Sequence, residues 1–160
     1  MSLAVTLILP NQLFKDHPAI QITRPTYLVE EWHYFNQFQF HQQKLVLHRA
    51  SMKFYAQFLT SQGSEVNYID AADSLNKCEA LIKNFHTNNV KQIHLVDPVD
   101  NWIGRKIKAT CKKYSIDLII YDNPNFLNTI KDVDDYFAKK KNYFQTDFYT
   151  WQRKSLNILM

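Results

Sequence analysis

The sequence predicts an α/β fold, with an open sheet of five parallel strands, doubly wound so that helices cover both faces. Short apolar runs alternate along the chain with longer segments in which apolar residues recur every three or four positions. The first run, residues 4–9, is almost wholly apolar, as is typical of a central parallel strand that is buried on both faces. No linker, repeat or low-complexity segment interrupts this alternation, so a single domain over residues 4–160 is predicted.

Each predicted strand ends in polar or turn-forming residues. The five strands are placed at residues 4–9, 26–31, 65–69, 92–96 and 116–121. Helices are placed at 41–61, at 74–86 with Ser74 as N-cap, from Asp100 onward, at 130–139 and, with a preceding loop, within 144–160. The aromatic stretch 32–40 is predicted to be a loop between the second strand and the long helix.

The long helix carries two series of apolar or aromatic residues, and together they predict a wide apolar face packed on the sheet. One series is Leu47, Ala50, Phe54 and Phe58, and the other is Leu45, His48, Met52, Tyr55 and Leu59. Gly63 follows at the position expected for a helix C-terminal cap. In the helix that begins at Asp100, Trp102, Ile103, Ile107 and Cys111 are predicted to share one side.

Composition indicates an ordinary globular protein. Hydrophobic residues make up 46% and charged residues 21%, and the net charge of +4 is compatible with a polyanionic partner. Cys78 and Cys111 lie in helical patterns, which favours two buried thiols over a disulfide or a zinc site. No signal peptide and no apolar run of about 18 residues is present, so a soluble cytoplasmic protein is expected.

Two adjacent carboxylates end the second strand. Glu30 and Glu31 should point to opposite faces of the sheet, which rules out a paired acid and base of the glycosidase type. Ligands of doubly wound sheets bind beyond the carboxyl ends of the strands, so Glu30 is a candidate to hold the N–H groups of a ligand. The alternative is that both carboxylates cap loop amides or face solvent.

The start of the long helix places His41, Lys44 and His48 on one side. The two histidines are about 10.5 Å apart along the axis at about 1.5 Å per residue, so they cannot bind one metal ion together. Lys44 could meet a phosphate, a ribityl hydroxyl or a carboxylate of a ligand. The alternative is a solvated helix flank.

Polar residues also follow the first and fourth strands. Asn11 and Gln12 lie at the turn that usually touches ligand in this fold class, and Asp97 and Pro98 end the fourth strand. Either pair is also explained by turn chemistry. No glycine-rich nucleotide motif and no nucleophile, zinc or redox motif is present, so neither catalytic residues nor metal ligands are predicted.

The last part of the chain combines a run of three lysines, 139–141, with many aromatic residues. Such a combination can bind single-stranded nucleic acid. The apolar residues near the end favour instead a surface that docks on another domain or subunit. The predicted docking residues are Phe148, Trp151, Leu156, Ile158 and Leu159.

These segments, in their order and spacing, resemble the N-terminal region of the deoxyribodipyrimidine photolyase-related proteins, the bacterial iron–sulfur (6-4) photolyase and cryptochrome group. The resemblance covers essentially the whole chain. It is carried by the segments NQL at 11–13, DHPA at 16–19, VE at 29–30, FHQQKL at 40–45, SMKFYA at 51–56, DP at 97–98, NFL at 125–127 and the stretch 148–160.

The resemblance implies a Rossmann-like domain of the photolyase N-terminal type, which serves as an antenna domain and is not catalytic by itself. In the family a C-terminal helical domain holds FAD, the iron–sulfur cluster and the DNA-lesion pocket for light-driven repair, and that domain is expected to be absent from these 160 residues. The antenna chromophore of the family is a ribityl-lumazine. The positions that correspond to its lining are Val29, Glu30, Tyr34, Gln37, Lys44 and His48.

The resemblance also implies the partners. The docking residues near the chain end would meet the helical domain or a second copy of the chain, and DNA would be met only through the full-length protein. Two other functions remain open at this point: a flavodoxin-like module that binds a flavin or nucleotide, and a non-catalytic α/β docking domain.

Overall fold

A computed structural model describes residues 3–158 of the chain. Its contacts divide the chain into two compact units, one that extends to Asn123 and one that begins at Pro124.

The first unit is built on a five-stranded sheet in which every neighbouring pair of strands is parallel. The strands are β1 (Leu3–Ile8), β2 (Thr26–Val29), β3 (Val66–Ile69), β4 (Val90–Val96) and β5 (Asp117–Tyr121). Their spatial order is β3-β2-β1-β4-β5. The predicted α/β class is therefore confirmed, and the direction of strand addition reverses between β1 and β4.

Four helices connect these strands: α1 (Trp32–Phe35), α2 (Gln42–Ser61), α3 (Cys78–Thr87) and α4 (Asn101–Lys113). The aromatic stretch that was predicted to be a loop therefore begins with one helical turn, α1. Glu31 makes this turn possible because its carboxylate accepts a hydrogen bond from the His33 N–H at 2.6 Å.

Helices cover both faces of the sheet, which produces two buried apolar clusters. One cluster joins the sheet to α3 and α4 through Leu7, Val29, Leu81, Ile82, Phe85, Ile103 and Ile107, among others. The other joins the opposite face to α1 and α2 through Ile8, Leu28, Phe35, Met52, Tyr55 and Leu59. Alternation along the strands explains the division, because neighbouring residues such as Leu28 and Val29 enter different clusters.

The predicted apolar face of α2 is only partly buried. Met52 and Leu59 lie in the core, whereas Leu47 is 67% and Phe54 is 72% exposed. Apolar residues recur at helical spacing along two parallel stripes of α2, one through Met52 and Leu59 and one through Leu47 and Phe54. Only the first stripe faces the sheet. Trp102 of α4 is likewise 70% exposed and does not share the buried side of its helix.

Helix α3 begins later than predicted. Its N-cap is Lys77 and its first residue is Cys78, so Ser74 is not the cap. The polar residues before it form turns instead, in which the Asp73 carboxylate accepts from the Leu75 N–H at 2.8 Å. The predictions of Asp100 as the start of α4 and of Gly63 after α2 are confirmed, and Gly63 has a φ of +86°.

The segment from Pro10 to Pro25 lies against the sheet face that bears Thr6. The Thr6 hydroxyl donates to the Ala19 carbonyl at 2.9 Å and accepts from Arg24 Nε at 2.8 Å. His17, 8% exposed, accepts at Nδ1 from the Ala19 N–H. Burial lowers the pKa of His17 to about 4, although a backbone hydrogen bond acts in the opposite direction.

We expect His17 to make the folding stability depend on pH. Because its pKa is about 4 in the folded chain against 6.5 ordinarily, the unfolded chain binds the proton first as the pH falls. The neutral His17 therefore contributes about 3 kcal/mol to the free energy of unfolding above pH 6.5. This contribution is lost as the pH falls from 6.5 to about 4. His17→Asn keeps an acceptor for the Ala19 N–H and cannot titrate.

Urea unfolding at several pH values measures this effect. The free energy of unfolding is measured for wild type and for His17→Asn at each pH. Wild type minus variant should be larger at pH 7.5 than at pH 4.5, by about 2 kcal/mol or more. A difference that does not vary with pH would show that His17 is not a buried neutral imidazole.

The second unit contains two helices, α5 (Ile130–Phe137) and α6 (Gln145–Leu156). Thr129 and Asp132 form a capping box at the start of α5. Aromatic rings join the two helices, since Tyr136 contacts Phe148 and Trp151 at centroid distances of 5.2 and 4.8 Å. Of the other predicted docking residues, Leu156 and Ile158 are 38% and 41% exposed, and Leu159 lies outside the described residues.

Both cysteines are buried and unpaired, as predicted. Burial raises the pKa of the Cys78 thiol well above its usual value and that of Cys111 to about 11. Within residues 3–158 no group of three or more metal-ligating side chains comes together. The same residues contain no helix with the length and apolar character needed to span a bilayer.

Candidate functional site

The candidate site lies where β2 and β3 end. The pairing of Val29 with Ile69 brings the next residues of the two strands, Glu30 and Asp70, to the same edge of the sheet. Glu30 extends toward α2, and Glu31 extends toward the opposite face, where the Cys78 N–H lies 3.5 Å from its carboxylate. The prediction that the two carboxylates point to opposite faces is confirmed.

Glu30 is fully buried and accepts four hydrogen bonds. Arg49 of α2 donates to both carboxylate oxygens, from Nε at 2.7 Å and from Nη2 at 2.5 Å. The Tyr68 hydroxyl donates at 2.5 Å and the Ala71 N–H at 2.8 Å. Two carboxylate oxygens offer about four acceptor positions, so the protein itself uses the hydrogen-bonding capacity of Glu30.

These contacts fix the charges at the site. Burial by itself would raise the pKa of Glu30, but the hydrogen bonds from Arg49, Tyr68 and the Ala71 N–H outweigh it and hold the pKa below its usual value. Glu30 is therefore a carboxylate at neutral pH. A second carboxylate oxygen, Oδ1 of Asp70, lies 3.3 Å from Arg49 Nη2, so one cation is flanked by two acidic side chains.

A cavity of about 180 Å³ adjoins this network. Its lining combines the Arg49 side chain with aromatic and aliphatic groups and one amide. The lining residues are Phe35, Asn36, Leu45, Val46, Arg49 and Ala71. Asn36 is held in place because its side-chain amide donates to the Ala71 carbonyl at 2.9 Å.

The predicted lining residues Val29, Tyr34 and His48 are not on the wall of this cavity. Val29 is buried in the core on the opposite face of the sheet. Tyr34 is half-buried between the two apolar clusters, and burial raises its pKa above the usual value. His48 contacts Phe35, a wall residue, with ring centroids 6.0 Å apart, and its pKa is lowered by burial and by Lys44.

Two further predicted residues lie near the N-terminus of α2, Gln37 before it and Lys44 in its first turn. Lys44 is exposed, with Nζ 3.6 Å from the centroid of the Phe40 ring. The side-chain oxygen of Gln37 is enclosed and accepts no hydrogen bond from any residue between 3 and 158. An enclosed polar atom of this kind ordinarily meets water or a ligand. His41 serves as the N-cap of α2, since its Nδ1 accepts from the Gln43 N–H at 3.2 Å.

The crevice between the ends of β1 and β4 is filled by protein. Gln12 is fully buried, and its side-chain amide donates to the carbonyls of Val96 at 2.8 Å and Asp97 at 3.3 Å. The same side chain accepts from the Leu9 N–H. Gln12 therefore ties the two strand ends together, and Asn11 beside it is exposed. Asp97 caps its own turn, with its carboxylate accepting from the Val99 N–H.

A larger groove of about 550 Å³ lies on the outer side of α2. It is lined by Leu13, Lys15, Ala50, Ser51, Phe54, Tyr55 and Phe58. This groove is mainly apolar, and the Tyr55 hydroxyl is already bonded to the Phe14 carbonyl at 2.7 Å. The cavity beside Glu30 is smaller, but its polar side chains, Arg49 and Asn36, are held in place by hydrogen bonds to the protein.

The polar partners of Glu30 are not evident from the sequence pattern alone. The pairing of Arg49 with Glu30, a residue 19 positions earlier, was not predicted. A usable signal was present, because a carboxylate at the end of a buried strand needs a cation, and the helix that follows supplies one. Tyr68 and Ala71 come from β3 and its end, and their contribution depends on strand order.

Comparison with known proteins gives two results. A sequence model of the family described as deoxyribodipyrimidine photo-lyase-related protein matches residues 6–160. A protein of Acanthamoeba polyphaga mimivirus, described as uncharacterized, is 32% identical over 171 residues, an alignment that covers 98% of this chain and 84% of the relative. The relative therefore contains little beyond the region that aligns with this chain.

Proposed function

This chain belongs to the deoxyribodipyrimidine photo-lyase-related protein family, and we propose that it serves there as an antenna-type α/β domain that binds a light-absorbing chromophore. Under this proposal it belongs to the iron–sulfur (6-4) photolyase and cryptochrome group and supports light-driven DNA repair. The catalytic step lies outside this chain. FAD and the iron–sulfur cluster would be held by a separate helical domain. The two cysteines of this chain are buried and lie apart, so they cannot supply the four thiolates that hold an iron–sulfur cluster.

The observation that carries the proposal is the cavity beside Glu30 at the carboxyl ends of parallel strands. Ligands of doubly wound folds bind outside the carboxyl ends of the strands, usually where the strand order reverses. Here that point, between β1 and β4, is bridged by Gln12, and the cavity lies beyond the ends of β2 and β3. The cavity joins an apolar wall to one oriented cation, which suits a ring with a polar edge. The side-chain oxygen of Gln37, which accepts no hydrogen bond within residues 3–158, would supply a further polar group on the segment before α2.

A ribityl-lumazine fits these residues in chemical type. Its pteridine ring would lie against the apolar wall at Phe35, and the ribityl hydroxyls would extend toward Lys44 and His48 on the exposed start of α2. When bound, the chromophore supplies light absorption and passes excitation onward. Val29 and Tyr34 support the site from within the core, and Asn11 and Gln12 shape the neighbouring strand end.

The partner of the domain is proposed on the same basis. A helical domain that carries FAD, or a second copy of this chain, would dock on the apolar residues of α6 and beyond: Phe148, Trp151, Leu156, Ile158 and Leu159. DNA would be contacted by the assembled protein. The solvent exposure of Leu156 and Ile158 supports this role.

Titration of the purified chain with ribityl-lumazine tests the function. We expect saturable one-to-one binding, seen as a change in lumazine fluorescence, with a stabilisation against heat that grows with ligand concentration. Riboflavin and FMN serve as comparison ligands. A chain that binds FMN but not ribityl-lumazine would indicate the flavodoxin-like alternative, and a chain that binds neither would indicate a docking domain.

A further inference from the structure

The hydrogen bonds of the Arg49 guanidinium within residues 3–158 use only Nε and Nη2. An arginine carries five N–H groups. Nε and Nη2 bond to Glu30, and Nη2 also faces Asp70. The two N–H groups on Nη1 have no protein partner within residues 3–158, and 47% of the side chain is exposed. Arg49 is therefore held rigidly from one side and remains able to donate on the other.

The charges around Arg49 determine what it can receive. Two carboxylates, Glu30 and Asp70, lie within bonding distance of one guanidinium, so these three side chains together carry a net charge of −1. The cation of Lys53 lies over the ring of Tyr68, a partner of Glu30, with Nζ 3.4 Å from the ring centroid. An incoming anion would be repelled by both carboxylates. A neutral carbonyl oxygen has no such penalty and gains a hydrogen bond from a charged donor, which is stronger than one from a neutral donor.

The shape of the cavity restricts the ligand further. The Phe35 ring and the Leu45, Val46 and Ala71 side chains provide apolar walls. A volume of 180 Å³ is below the roughly 300–1,000 Å³ of a complete small-molecule site. The cavity can therefore enclose a ring at one end of a ligand, while the remainder lies outside on the surface of α2.

We propose that Arg49 determines the ligand specificity of this cavity by donating its Nη1 hydrogens to the carbonyl edge of a neutral planar heterocycle packed beside Phe35. Glu30 acts as a positioning residue that fixes the guanidinium and does not itself bind the ligand. This inference rests on the proposed chromophore-binding function and specifies which groups of the ligand are recognised. The cavity recognises carbonyl oxygens of the ligand that accept hydrogen bonds. It does not recognise N–H groups of the ligand or an anion.

Affinity measurements on Arg49→Lys test the assignment, with Arg105→Lys as the matched control. Arg105 is exposed on α4, far in sequence from this network, and undergoes the same chemical change. With ribityl-lumazine as probe, Arg49→Lys should weaken binding by about tenfold or more, because the oriented pair of donors is lost. Arg105→Lys should stay within about twofold of wild type. Circular dichroism verifies that each variant is folded.

A second variant keeps the test decisive if Arg49→Lys does not fold. Asp70→Asn removes one half-exposed carboxylate and leaves Arg49 in place. Millimolar inorganic phosphate should not compete with ribityl-lumazine in wild type, and it should begin to compete in Asp70→Asn because the cluster loses its net negative charge. Phosphate competition in wild type would show an anion site and overturn the assignment.

The remaining outcomes separate this inference from the proposed function. If wild type binds ribityl-lumazine and a folded Arg49→Lys binds it equally well, Arg49 is not the specificity residue, while the antenna function stands. If wild type does not bind ribityl-lumazine at all, the antenna function and the present assignment are both overturned.

Discussion

Replacement of Arg49 by methionine should destabilise the chain by about 2–4 kcal/mol. The reason is that Glu30 is fully buried and would lose two of its four donors, which leaves a poorly compensated charge inside the protein. The expected loss lies toward the lower end of the range for buried pairs, because the Arg49 side chain is itself 47% exposed. Urea unfolding followed by circular dichroism measures the change.

The cause can be isolated with a double-mutant cycle. Adding Glu30→Gln to Arg49→Met removes the uncompensated charge, so the double variant should recover part of the stability that Arg49→Met loses. Lys106→Met, which breaks an exposed pair with Glu79, serves as the control and should change stability by less than about 1 kcal/mol. Additive effects of the Glu30 and Arg49 substitutions would mean that the two side chains are not coupled.

The second large effect is expected at Phe85. This ring is 1% exposed in the cluster beneath α3 and makes an edge contact with Tyr27 at a centroid distance of 4.6 Å. Phe85→Ala removes the ring and leaves a cavity, which typically costs about 3–5 kcal/mol.

Phe54→Ala provides the matched control for this prediction. Phe54 is the same residue type on α2 but is 72% exposed, so its truncation should change stability by less than about 0.5 kcal/mol. Equal losses in the two variants would show that the outer stripe of α2 is covered in the free chain and that the description of α2 as half-buried is wrong.

The order of elements and the orientation of Glu30 and Glu31 could be predicted because they depend on local pattern. Apolar runs of about five residues locate the strands, and a side-chain period of two decides which face each carboxylate occupies. The start of α4 was also readable, since Asp100 is an efficient N-cap whose carboxylate accepts from Trp102 and Ile103.

The burial of α2 and the start of α3 could not be read in the same way. On α2, the residues Leu47 and Phe54 satisfy the helical period as well as Met52 does, and only the sheet determines which stripe is covered. At α3, the side chain of Asp73 bonds within a turn, so a good N-cap residue such as Ser74 was followed by turn rather than helix.

For the candidate site, the sequence pointed to Glu30 but not to the contacts that Glu30 makes. Glu30 was a candidate ligand contact from sequence, and the structure places it beside the cavity. The sequence could not show that Arg49 and Tyr68 satisfy Glu30, because that requires α2 and β3 to meet at the end of β2. The sequence favoured Lys44 as the cation that meets a ligand. In the structure Lys44 is exposed beside Phe40, and Arg49 is the cation that lines the cavity.

NMR mapping of the binding surface tests whether a chromophore binds in the cavity between Glu30 and α2. On addition of ribityl-lumazine to isotope-labelled protein, the side-chain signals of Arg49 and the signals of Phe35, Val46 and Ala71 should shift in a saturable way. Signals from α3 and α4 should remain unchanged. Shifts confined to the larger groove of α2, around Leu13, Lys15 and Phe54, or no saturable shifts at all, would show that no chromophore binds in the cavity beside Glu30.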